Sequence, residues 1–199
     1  MKTESNDLAV AKNTIRNQVL RVARDIFTKY GFKKTTIDDI ARELQKGKSS
    51  LYYYFNSKEE LYKAVLDQEA TELKEQILGE LAKTDNAREK VSLYIKSRLE
   101  GIKKLNNLYD FRKSQYLSLD NAVVLREKYD KLELDIIRNL LEYGVTMGSF
   151  SIENIEATAK TMLIIVKGLE IPVLSQDREI LNQRVDELLP VLFFGICKC

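Results

Sequence analysis

Thr36-Ile37-Asp38-Asp39-Ile40-Ala41-Arg42-Glu43-Leu44-Gln45-Lys46-Gly47-Lys48-Ser49-Ser50-Leu51-Tyr52-Tyr53-Tyr54-Phe55 decides the reading of this chain. Ile37, Ile40, Ala41 and Leu44 recur at helical spacing, so they share one face of a short helix. Thr36 stands where a hydroxyl caps a helix start, with Asp38 and Asp39 at the positive end of the dipole. Gln45-Lys46-Gly47 is a short turn. A second short helix is predicted from Lys48 to about Phe55. On it Leu51 and Phe55 face inward, with Tyr54 beside them. At ~100° per residue Ser49 and Tyr53 point outward, with Ser50 and Tyr52 on the flanks and Lys48 at the start. Two short helices joined by a tight turn make a helix-turn-helix, whose second helix can enter the major groove of DNA.

The outward face suits that task. Small serine hydroxyls reach base edges or phosphates, and tyrosine hydroxyls and lysine bind phosphate oxygens. Upstream, Ile15, Val19, Val22, Ala23, Ile26, Phe27 and Tyr30 predict a first helix over 13–30, after a polar, flexible arm. Gly31 stands at its left-handed end and Phe32 just beyond. Downstream, Ser57 and Glu60 form a capping box that opens a longer helix to about Leu81. Its free N–H groups, with Lys58 alongside, offer an anion site.

The run from Ile26-Phe27 through Gly31-Phe32, Thr35-Thr36-Ile37 and Ile40-Ala41 to Leu51-Tyr52-Tyr53-Tyr54-Phe55-Asn56-Ser57-Lys58-Glu59-Glu60-Leu61 resembles the DNA-binding domain of the tetracycline-repressor (TetR) family. The resemblance covers about 15–66. It implies a homodimer with a helix-turn-helix head (1–62) and a larger helical body (63–199) that binds a small effector. It also implies that Thr36 contacts phosphate, that Lys48, Ser49 and Ser50 face the groove, and that Tyr52, Tyr53 and Lys58 hold phosphates. One departure stands in the turn, where the family commonly has Gly-Val-Ser. Here Lys46 replaces the apolar residue and Gly47 the capping hydroxyl.

The rest of the chain agrees with an all-α fold. Its 199 residues include two prolines, Pro172 and Pro190, so nothing before residue 172 interrupts a helix by ring constraint. Further helices are predicted near 86–108, 111–118, 122–143, 153–170 and 177–196, with a glycine-flanked loop at 144–150 and Pro172 ending the penultimate helix. Residues 1–66 carry 13 Lys+Arg against 8 Asp+Glu, while the remainder is mildly acidic. A basic head on an acidic body points to a polyanionic partner.

Two related heads reading half-sites of a palindromic operator multiply specificity, which also argues for a dimer. Met162, Leu163, Val166 and Leu169, with Val185, Leu188 and Leu192, are the candidate dimer contacts, as a four-helix bundle. Tyr94, Arg98, Tyr109, Phe111, Tyr116 and Tyr129 are candidates for the effector pocket; Arg98, if buried, could pair with an acidic ligand. The expected output is repression relieved when the effector shifts the population away from the DNA-binding form.

Catalysis is not expected. The chain has no histidine, no glycine-rich phosphate loop, and its only cysteines are Cys197 and Cys199 at the tail, so no cofactor or metal is expected either. No apolar run approaches the ~18 residues a membrane span needs, and no export signal opens the chain, so a cytoplasmic protein is expected. The competing reading is a helical ligand-binding protein whose degenerate head no longer binds DNA.

Overall fold

The computed structural model describes residues 2–113, 122–174 and 178–196. Among these the elements are α1 (Lys2–Tyr30), α2 (Ile37–Glu43), α3 (Lys48–Tyr52), α4 (Lys58–Leu81), α5 (Ala87–Lys104), α6 (Asn106–Lys113), α7 (Ala122–Thr146), α8 (Ile155–Leu174) and α9 (Arg178–Ile196). No helix among them is long and apolar enough to cross a membrane. Two compact units emerge: Met1–Thr71 with Asn106–Asp110, the head, and Glu72–Leu105 with Phe111–Cys199, the body. The division falls nine residues beyond the expected boundary at 62, and the first turn of α6 joins the head.

In the head, α1 buries Val19, Leu20, Ala23, Ile26 and Phe27, the i, i+4, i+7, i+8 stripe of an amphipathic helix. It begins at Lys2 rather than near residue 13, replacing the expected flexible arm. No glycine or proline precedes Gly31, so once nucleated the helix propagates through the polar opening residues at one hydrogen bond per residue. It stops at Gly31, whose φ of +77° is left-handed and whose N–H donates to the Phe27 carbonyl at 2.8 Å.

The α2 start is a full capping box. Thr36 Oγ1 accepts from the Asp39 N–H at 3.2 Å, and Asp39 Oδ2 accepts from the Thr36 N–H at 2.9 Å. The Thr36 hydroxyl, which also donates to Asp39 Oδ2, then the Thr36 N–H and the nearby Arg42 charge hold the Asp39 carboxyl below its ordinary range. At the other end, Gln45 N–H donates to Arg42 O and Lys46 N–H to Ala41 O, both at 3.0 Å. That is a Schellman ending, and it requires the left-handed φ of +53° found at Gln45. A non-glycine residue there is strained by roughly 1–2 kcal/mol. Gln45→Gly is therefore expected to stabilise the head by about 0.5–1 kcal/mol, strain relief outweighing the extra freedom glycine gives the unfolded chain. Urea unfolding checks it; a lower midpoint for the glycine variant would overturn it.

The body is built on α5, which packs on α7, α8 and α9, while α7 also packs on α8. Asn86 caps α5 by accepting from the Arg88 and Glu89 N–H groups. Val91, Ile95, Leu99 and Ile102 of α5 meet Ile137 and Leu141 of α7, Ala159 and Val166 of α8, and Val185 of α9 in a core with no more than 1% exposure.

Further element boundaries differ from expectation as well. Pro172 does not end α8, which runs on to Leu174; in a last turn proline removes one hydrogen bond near an end that frays anyway. Gly144 lies inside α7 rather than in a loop, and Gly148, at φ +67°, ends that helix. The α6 helix starts at Asn106 rather than 111, because the Leu108 N–H in its first turn donates to Glu69 Oε2 at 2.7 Å; positions 114–118 of the expected helix lie outside the described residues. That acceptor lies far away in sequence.

Candidate nucleic-acid interface

The α3 helix is fixed from behind. Leu51 and Phe55 are buried to 1% and 2% exposure beside Ile40 and Leu44 of the α2 segment. Gly47 caps it with extended backbone (φ −70°, ψ 148°) and no side-chain bond. Regular helix ends at Tyr52; the Tyr54 and Phe55 N–H groups both reach the Leu51 carbonyl as the chain tightens. Beyond it, Ser57 Oγ accepts the Glu60 N–H, while the Glu60 carboxylate reaches back to the Asn56 N–H at 2.8 Å. The box therefore closes one residue earlier than the sequence pattern implies.

Lys48, Ser49, Ser50, Tyr52 and Tyr53 all lie exposed. Tyr53, 66% exposed, is held edge-on against Tyr54 with ring centroids 5.0 Å apart, so a large hydroxyl-bearing ring stands out at little rotamer cost. Lys48 Nζ pairs with Asp38 Oδ2 at 2.9 Å, which raises the Lys48 pKa. Both partners are about half exposed. Such surface pairs contribute little, so the ammonium exchanges partners readily.

Two other residues have occupations that the sequence did not show. The Thr36 hydroxyl donates to Asp39 Oδ2 at 2.6 Å while serving as the cap, so its one proton is committed. Lys58 Nζ donates to the carbonyls of Phe32 and Thr35, both at 3.0 Å, and lies 4.3 Å from the Phe32 ring centroid. It braces the α1–α2 connection against α4, leaving one of its three N–H groups uncommitted by those bonds. Phe32 in turn packs 4.7 Å from Tyr62, itself edge-on to Phe27 at 4.9 Å.

In the body, Tyr94, Arg98 and Phe111 are fully buried and Tyr129 nearly so. Arg98 Nε and Nη2 both donate to Glu133 Oε2, at 3.1 and 2.9 Å. Because Tyr94 and Arg98 are one turn apart on α5, and Tyr129 and Glu133 one turn apart on α7, one face of each helix meets the other here. Phe111 adds an edge-on contact to Tyr129 at 6.1 Å. Tyr116 lies outside the described residues, as do Cys197 and Cys199, and Tyr109 is placed only along the α6 backbone. Arg98 is thus buried, and Glu133 is a partner for it within the chain, where sequence reading allowed a buried Arg98 to pair with an acidic ligand. Two body hollows have other linings. One of about 380 Å³ is lined by Lys74, Leu78, Lys90, Leu132, Ile136 and Tyr143 among others; one of about 250 Å³ includes Val91, Thr161, Met162 and Leu192.

The expected dimer residues divide. Met162, Leu163, Val166 and Val185 are buried within the single chain, so they build its own core rather than a surface for a second copy. Leu169, Leu188 and Leu192 are half-buried. The apolar surface left open lies on the opposite faces: Ile164 at 71% and Val191 at 69% exposure. Ala157, Thr161, Ile164 and Gly168 form one exposed α8 face, which sequence reading missed because both sides of α8 are apolar.

Residues 19–65 match the profile described as bacterial regulatory proteins, tetR family. The chain is 27% identical over 169 residues to the HTH-type transcriptional regulator QacR of Staphylococcus aureus (strain Mu50 / ATCC 700699), covering 78% of this chain and 84% of that protein. It is 30% identical over 156 residues to the HTH-type transcriptional regulator YhgD of Bacillus subtilis (strain 168), covering 73% and 76%. Among solved structures, a transcriptional regulator from Cytophaga hutchinsonii superposes with a TM-score of 0.76 at 25% identity, covering 92% of this chain and 98% of that one. A putative transcriptional regulator from Saccharomonospora viridis, in complex with choline, shares the fold with a TM-score of 0.75 at 18% identity, over 94% of this chain and all of the other.

Proposed function

Because the chain belongs to the tetR family of bacterial regulatory proteins, we propose that it is a dimeric repressor that binds a palindromic operator through α3 and leaves it when a small molecule binds the body. One observation carries this reading: Lys48, Ser49, Ser50, Tyr52 and Tyr53 stand exposed together on a helix whose other side, Leu51, is buried. Serines approach base edges, whereas Lys48, Tyr52 and Tyr53 hold phosphates and set the register. The spare N–H of Lys58 adds a phosphate contact at the margin, whereas Thr36 contacts phosphate only if it gives up its bonds to Asp39.

The open faces of α8 and α9 are the dimer surface in this reading. Ala157, Thr161 and Gly168 are small, so a symmetric copy can approach closely around Ile164 and Val191. The effector binds among the body helices, near the cluster of Tyr94, Arg98, Phe111, Tyr129 and Glu133. That the Saccharomonospora viridis protein of this fold was solved in complex with choline supports a small-molecule effector.

Selection of genomic fragments by the purified protein tests the reading. A palindromic site is expected among the enriched fragments. Tyr53→Ala is expected to weaken binding to it about a hundredfold, since a hydrogen bond to a charged phosphate contributes roughly 1.5 kcal/mol and is lost from both heads. No enriched sequence, or unchanged affinity in the variant, would overturn it.

A further inference from the structure

Glu69 of α4 is 1% exposed, and its carboxylate ties three helices of the head together. Glu69 Oε1 accepts from Arg24 Nε of α1 at 3.1 Å and from Asn107 Nδ2 of α6 at 2.9 Å. Glu69 Oε2 accepts from the Leu108 N–H at 2.7 Å. Asn107 is gripped from further sides. Its Nδ2 also donates to the Arg24 carbonyl and to Thr28 Oγ1, and its own carbonyl accepts from the Tyr62 hydroxyl at 3.3 Å. Burial, with the charges of Asp110 and Glu69, pushes the Tyr62 phenol well above its ordinary pKa, so it remains a donor.

Burying a carboxylate is costly, and an apolar packing of similar volume often serves stability as well or better. What the carboxylate supplies here is register. The first N–H groups of a helix lack partners within it, and Glu69 satisfies that of Leu108, so α6 starts at a fixed place on α1 and α4. The other end of the same helix belongs to the body, where Phe111 is fully buried. Within the head, α1 packs on α2 and α2 on α3.

We propose that Glu69 is a positioning residue that makes the first turn of α6 a working part of the DNA-binding head. Occupation of α3 by DNA is then felt at Asn107 and Leu108, and by reciprocity a shift of α6 alters DNA affinity. This rests on the operator-binding reading above. A merely structural Glu69 would protect the α6 start equally with and without DNA.

Hydrogen exchange of the full-length protein, free and bound to the selected operator fragment, separates the cases. In the wild type, residues 47–55 and 104–110 are both expected to slow on operator binding, the latter about fivefold or more, the lower range of coupling between sites. In Glu69→Leu, 47–55 still slows but the response of 104–110 is lost. Glu69→Gln, which keeps an oxygen for the Leu108 N–H, retains part of it. Asn107→Leu removes the side-chain grip without touching the carboxylate and is expected to behave like Glu69→Leu; it also serves if that variant does not fold. Protection at 47–55 without any at 104–110 in the wild type would overturn the proposal, as would a full response in a folded Glu69→Leu or Asn107→Leu. If 47–55 gains no protection in the wild type, the operator-binding reading itself has failed.

Discussion

Arg98→Met is expected to destabilise the protein by about 3–5 kcal/mol, because it breaks a buried ion pair by removing the guanidinium that donates twice to the Glu133 carboxylate. Arg98 is fully buried and Glu133 is 5% exposed, and the pair is closed by two bonds to one carboxylate oxygen. The double variant Arg98→Met/Glu133→Leu removes both charges and fills similar volume, so it is expected within about 1–2 kcal/mol of the wild type, on either side. At fixed protein concentration, a chain of this size loses roughly 2–4 °C of melting temperature per kcal/mol. The single variant therefore melts about 6–20 °C lower, and the double variant recovers most of that. A single variant within 1 °C of wild type would show that the pair is not buried as described. A double variant as unstable as the single one would show that the cost lies in shape rather than charge.

Operator affinity is expected to fall about a thousandfold between 50 and 200 mM salt, as it does when roughly six phosphates are neutralised by cationic side chains. Each head offers Lys46 and Lys48 around the turn, both exposed, and Lys58 behind it; two heads bring the number to that range. Lys48→Gln weakens binding across all sequences and lowers the salt slope by about one for each head. Fluorescence anisotropy against a salt series measures both. A slope that is flat, or unmoved by Lys48→Gln, would separate Lys48 from the DNA backbone and leave it as the surface partner of Asp38.

The head was legible in the sequence because its determinants are local. Gly31, the Thr36–Asp39 box, the Leu51 and Phe55 spacing and the Ser57 cap each act within four residues. The Gln45-Lys46-Gly47 turn was also visible as a departure, but not its resolution, which depends on Gln45 accepting a left-handed backbone so that two carbonyls of α2 are satisfied. What stayed hidden depends on partners distant in the chain. The α6 start was misplaced because its cap comes from Glu69, and Glu133 was not seen as the partner of Arg98 because 35 residues separate them. The α8 helix is apolar on both sides, so periodicity could not say which side builds the core and which stays open. The occupations of Thr36 and Lys58 were equally out of reach, since any hydroxyl or ammonium near a helix start reads as a possible anion contact.

Where α7 ends, the Phe150 ring lies so close that a Cβ on Gly144 would stand 2.0 Å from Phe150 Cδ2. Phe150 is 3% exposed and stacks toward Phe193, with centroids 6.4 Å apart, so the ring has no room to retreat. Two positions six residues apart thus share the space of one side chain. Evolution can enlarge the first only after shrinking the second. Lineages that carry this corner are expected to change the two positions as a linked pair, with a smaller residue at 150 arriving before any side chain at 144. The path between the two states is one-way in order, and the intermediate is a cavity rather than a clash.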